Sequence, residues 1–98
     1  MAVLLNLNNA EFQRKWFLLE KDEQLAVVQT CRKLAGMEWD AVYRDKGLHW
    51  EAIKSSRYPD GSRLYSLRIT KRMRAVVRRS GEYLEFIDLF AHHDAAYE

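Results

Sequence analysis

Arg63-Leu64-Tyr65-Ser66-Leu67-Arg68-Ile69-Thr70-Lys71-Arg72-Met73-Arg74-Ala75-Val76-Val77-Arg78-Arg79-Ser80-Gly81 alternates between apolar and polar side chains twice over. Successive side chains of an extended chain point to opposite faces. The first run, Arg63 to Thr70, therefore predicts a strand with Tyr65, Leu67 and Ile69 on one face and Leu64, Ser66 and Arg68 on the other. The second, Arg72 to Arg79, puts Met73, Ala75 and Val77 on an apolar face and Arg72, Arg74, Val76 and Arg78 opposite them. Ser80-Gly81 is a hairpin signal, and Tyr83 to Ala91 beyond it is apolar enough for a central strand. Upstream, Leu48 to Ile53 predicts a further strand with Leu48, Trp50 and Ala52 on one face. Lys54 to Ser62, containing Pro59-Asp60-Gly61, predicts a loop.

Working outward to the N-terminus, the periodicity changes. Residues 2–7 suit a short strand or an extended lead-in. Asn8-Asn9-Ala10-Glu11 resembles a capping box with Asn8 as N-cap. Phe12, Trp16 and Leu19 then mark a helical face. A second cap near Lys21-Asp22 opens a helix whose apolar face reads Leu25, Val28, Cys31 or Arg32, and Ala35, ending at Gly36. A short helical turn is expected around Trp39 to Tyr43. The expected fold is thus α+β: an N-terminal helical hairpin packed on a three- to four-stranded antiparallel sheet. At 98 residues the chain is expected to be one domain, 1–98.

The composition bounds the function. No apolar run approaches the ~20 residues of a membrane span, so no membrane partner is expected. The opening Met1-Ala2-Val3-Leu4-Leu5-Asn6 has neither a basic region nor a full apolar core. No secretory leader is expected, and the expected setting is cytoplasmic. The single cysteine, Cys31, excludes an intrachain disulfide and a cysteine-based zinc site. The net charge of +2 hides a strong asymmetry. Lys54, Arg57, Arg63, Arg68, Lys71, Arg72, Arg74, Arg78 and Arg79 stand against one acid, Asp60, so this stretch carries +8 and the rest of the chain −6. Such segregation attracts polyanions. Most of these bases are arginines, which pair bidentately with phosphate. Lys54, Arg57, Arg63, Arg72 and Arg78 are therefore candidate nucleic-acid-binding residues, to which the resemblance below assigns RNA. Alternation puts Arg68 and Arg74 on the sheet face away from the helices.

After the last strand come Ala91-His92-His93-Asp94-Ala95-Ala96-Tyr97. Cleaving RNA requires a proton acceptor for the 2′-hydroxyl, a stabiliser for the charged phosphorane and a donor for the departing 5′-oxygen. Arginine suits the middle task and histidine the proton transfers. Adjacent histidines in a polar tail are also common surface residues. His-His-Asp lacks the helical ligand spacing of a metal site, so no metal and no small-molecule cofactor are expected. Trp16, Trp39 and Trp50 read as core. Glu51 suits an exposed strand position or the rim of a site.

Tyr65-Ser66-Leu67-Arg68-Ile69, Met73-Arg74-Ala75-Val76-Val77, the strand Tyr83 to Phe90, and Ala91-His92-His93 with Tyr97 together resemble the RelE/ParE superfamily of toxin–antitoxin toxins. The likeness covers roughly residues 48–98, with the helical half matching in layout. It implies a RelE-like fold. In the RelE/HigB-like branch it implies a metal-independent endoribonuclease that cuts mRNA on the ribosome, inhibits translation and is held inactive by a cognate antitoxin protein. Carried over by position, Arg68 and Arg74 would stabilise the scissile phosphate. His93 would stand where that branch has Arg or His and Tyr97 near its late tyrosine, which makes both candidate catalytic residues with Arg68 and Arg74, and His92 would lie beside them on the RNA. Ser66 and Ala91 depart from RelE itself, where lysine and glycine stand. Two other functions fit the same chain: gyrase inhibition, as in ParE, and a non-catalytic RNA-binding module.

Overall fold

The structure, a computed structural model, describes residues 1–91. Three helices and five strands follow one another: β1 (Leu4–Asn6), α1 (Ala10–Leu18), α2 (Lys21–Leu34), α3 (Trp39–Arg44), β2 (Glu51–Arg57), β3 (Arg63–Arg68), β4 (Met73–Ser80) and β5 (Tyr83–Ala91). All five strands share one sheet in the order β1-β5-β4-β3-β2. The α+β class and the β3-β4-β5 meander are as the alternation predicts. The sheet is larger than expected, because β1 adds to β5 in parallel, Leu5 opposite Leu84. Three residues at the chain's start cannot announce a partner that lies nearly eighty positions away.

The faces of β3 and β4 follow the alternation. Leu67, Met73, Ala75 and Val77 are buried in one core cluster with Leu84, Phe86 and Leu89 of β5. Phe12 of α1, Val27 and Leu34 of α2, and Trp39 and Val42 of α3 close that cluster from the helix side. The Phe12 and Phe86 rings lie 5.1 Å apart, joining α1 to β5. Trp39 is fully enclosed, and Trp16 and Trp50 pack against the same core.

Four details depart from the sequence-based expectation. The N-cap of α1 is Asn9, not Asn8: its Oδ1 accepts the Phe12 N–H at 3.0 Å, while the Asn8 N–H is spent on Asn6 Oδ1. The inward face of α2 is Val27, Thr30 and Leu34, whereas Leu25 and Val28 are exposed. α2 carries two apolar stripes, and its seating against α1 decides which one is buried. Beside the exposed stripe, Gln24 Nε2 donates to the Phe17 carbonyl and Trp16 Nε1 to the Gln24 carbonyl. β2 begins at Glu51 instead of Leu48 and runs on to Arg57, through residues expected to form a loop. Leu48 is drawn into the core, and the ladder resumes beyond it with an irregularity between Ile53 and Arg57. Arg72 falls in the turn between β3 and β4, off the strand face on which the alternation put it.

Candidate functional site

The β3–β4 connection is tight. The Ile69 and Thr70 N–H groups both donate to the Met73 carbonyl, and the Met73 N–H returns to the Thr70 carbonyl. That turn sets the register, with Ser66 opposite Val76, Leu67 opposite Ala75 and Arg68 opposite Arg74. Two arginines therefore stand directly opposite each other in the ladder, on the face turned from the helices. Like charges in that relation repel. Moreover, Arg68 Nε and Arg74 Nη1 are shielded from solvent with no hydrogen-bond partner among the described residues. A buried donor on a charged group left without an acceptor is costly. A bound anion would relieve both penalties, and a phosphate with several oxygens suits the guanidinium fork.

Beside this pair runs a groove of about 380 Å³, lined by Glu51, Ala52, Ile53, Lys54 and Ser55 of the edge strand β2 with Ser66 and Arg74. Register puts Glu51 opposite Ser66. His49, just before β2, holds Nε2 3.4 Å from Glu51 Oε1. The groove thus offers the cations Lys54 and Arg74 and the carboxylate Glu51, with the His49 imidazole at ion-pair distance from that carboxylate. Around it the sheet face is closed, since Leu64, Ser66 and Val76 are all buried.

The candidate residues separate into groups. Arg74 and Lys54 line the groove, and Arg68 stands opposite Arg74 in the ladder. Arg57 and Arg63 face each other across β2 and β3. Both are exposed, as is Arg72 in the turn. Arg78 is committed elsewhere: Nε donates to Glu85 at 2.6 Å, Nη1 to Asp60 at 2.6 Å, and its guanidinium lies 4.2 Å over Tyr58. Those carboxylates raise its affinity for its proton. Arg79 is committed as well, stacked 4.3 Å over Trp39 and bonded to the Tyr43 hydroxyl and the Gly81 carbonyl. His92, His93 and Tyr97 lie outside the described residues. β5 brings the described chain to Ala91, opposite Met73 and one residue from Arg74.

The sequence reading passed over His49. Its only sequence signal was a histidine two residues before Glu51, and the left-handed φ of 51 that His49 adopts is set by tertiary contacts. Cys31 is inert by its surroundings: burial pushes its thiol up to about 11. Among the described residues, no group of three or more His, Cys, Asp or Glu side chains is placed to hold a metal ion.

No family model and no curated protein matches the chain. Among solved structures it is similar to a copper-bound mutant toxin from Helicobacter pylori, at 22% identity over 94% of this chain and 96% of that one, with a TM-score of 0.53. It is also similar to a YoeB/ParE toxin from Agrobacterium tumefaciens, at 20% identity over 95% and 100% of the two chains, with a TM-score of 0.46. The chain thus shares the α+β fold of the Helicobacter toxin over 94% of its length.

Proposed function

We propose that this protein is a toxin of the RelE/ParE superfamily, paired with a cognate antitoxin protein, that cleaves mRNA on the ribosome and so inhibits translation. The observation that carries this reading is the Arg68–Arg74 pair, with shielded N–H groups left without an acceptor. Such donors strengthen when negative charge develops between them, which is the requirement of a phosphorane-like transition state. Arg68 and Arg74 hold the scissile phosphate and stabilise its added charge. Lys54, Arg57, Arg63 and Arg72 carry the flanking backbone, and none of them has an ionic partner among the described residues. Arg78 is withdrawn from that role by Glu85 and Asp60. His93 and Tyr97 remain candidate catalytic residues and His92 a candidate RNA contact, because β5 ends the described chain one residue from Arg74's ladder partner. The basic face also suits an acidic segment of the antitoxin. The chain is read as acting in the cytoplasm, where ribosomes and mRNA are found.

Primer extension of transcripts after induced expression tests the reading. New 5′ ends within translated codons are expected, and they should vanish when translation is blocked. Gyrase-dependent DNA damage without such ends would overturn the reading in favour of a ParE-like activity. Salt-sensitive RNA binding without any cleavage product would overturn it in favour of a binding module.

A further inference from the structure

We infer that His49 and Glu51 form a carboxylate–imidazole dyad that takes the proton from the attacking 2′-hydroxyl. This rests on the proposed RNA-cleaving reading and assigns its proton-accepting group to described residues upstream of the tail. Three observations carry it. First, the two side chains are within ion-pair distance at 3.4 Å, both open to solvent, and Glu51 lines the same groove as Arg74. Second, His49 has φ 51, in the left-handed region, which is uncommon for a residue other than glycine. That conformation is held on both sides. The Leu48 side chain is buried, its N–H donates to Asp45 Oδ1 at 2.9 Å, and the His49 N–H donates to the Asp45 carbonyl at 3.2 Å. A backbone held against its preference by its surroundings is a frequent mark of a functional position. Third, the Leu48 carbonyl accepts the Arg68 backbone N–H at 2.7 Å. His49 is therefore the chain neighbour of the residue tied directly to Arg68, the arginine that pairs with Arg74.

With Nε2 turned to Glu51, Nδ1 is the nitrogen left to accept a proton. In the step, the 2′-oxygen gives its proton to Nδ1 and forms a bond to phosphorus. The bond from phosphorus to the 5′-oxygen breaks, leaving a 2′,3′-cyclic phosphate, and the 5′-oxygen takes a proton from water. Glu51 stabilises the imidazolium formed, and the imidazolium then returns its proton to solvent. No oxidant, reductant or metal enters the balance.

The test uses the full chain on ribosomes programmed with mRNA, measuring single-turnover cleavage and RNA binding for the wild type, His49→Ala, His49→Gly, Glu51→Gln and the double variant His49→Ala/Glu51→Gln. His49→Gly relieves the left-handed strain, so its loss of activity cannot be ascribed to a damaged backbone. Both His49 variants are expected to lose about 10²–10⁴-fold in rate with RNA binding unchanged. Added imidazole should restore cleavage by His49→Gly in proportion to its concentration. The double variant should be no slower than His49→Ala, because the pair acts as one unit. His49 variants that cut at the wild-type rate would overturn the dyad while leaving the proposed function standing. So would a loss that imidazole cannot rescue. A wild-type protein that cuts nothing would instead overturn the reading on which the dyad rests.

Discussion

Arg74 and Arg78 are four residues apart on one strand, yet their surroundings give them opposite duties. Arg74 faces Arg68 with an unmet N–H, whereas Arg78 is held by Glu85 and Asp60. Arg74→Ala is expected to lower cleavage about 10²–10³-fold. Its urea midpoint should be unchanged or raised, because a like-charge pair across the ladder disappears. A large drop in that midpoint would show Arg74 to be structural. Arg78→Ala should behave inversely and cost about 2 kcal/mol of stability, since it strips charged hydrogen bonds from Glu85. Urea unfolding of the two variants side by side separates the cases. Cys31, with its thiol pushed up to about 11 by burial, should react with a thiol reagent at neutral pH far more slowly than an unfolded control. The arginine types and their strand face were legible in the sequence. The capture of Arg78 was not, because Asp60 and Glu85 reach it from a loop and a neighbouring strand.

At the scale of single elements, α1 depends on its cap. Asn9→Ala should cost about 1 kcal/mol in thermal or urea unfolding, and Asn8→Ala should cost much less; equal effects would contradict the observed cap. The β2–β3 loop carries a pH dependence. The Ser62 hydroxyl, the Ser62 N–H and Arg78 together hold the Asp60 carboxyl down at about 2, below the ordinary value of about 4. The stabilisation from Asp60 is therefore complete above that ordinary value and is lost as pH falls through about 2. Asp60→Asn should remove this part of the acid dependence, as read by unfolding between those two pH values. An unchanged profile would mean that the loop contacts contribute nothing. β3, β4 and β5 were legible because period-2 alternation is a local property, whereas β2 runs on through residues expected to form a loop. The buried stripe of α2 was not, because Leu25 and Val28 are as apolar as Val27 and Leu34, and only the packing partner distinguishes them.

Across the whole molecule, the charge segregation seen in the sequence survives folding in a thinned form. Of the nine bases between Lys54 and Arg79, Arg78 and Arg79 are bound internally, and the other seven have no ionic partner among the described residues. Single-stranded RNA binding should therefore weaken steeply with salt, with a log–log slope on the order of −3 if four or five phosphates are contacted. Arg57→Ala should reduce that slope, whereas Arg79→Ala should leave it unchanged. A slope near zero would remove the electrostatic basis for RNA binding.

By itself the sequence determined the α+β class, the meander of β3, β4 and β5, and the shared face of Arg68 and Arg74. Each follows from alternation and turn chemistry within a few residues. Only the tertiary structure decided that β1 joins β5 in parallel, which stripe of α2 is buried, and that His49 comes within ion-pair distance of Glu51. It also decided that the two arginines are opposite in register, each with a shielded donor unspent. Those features depend on register and on contacts between distant segments, and a short-range pattern carries no record of which distant partner closes on it.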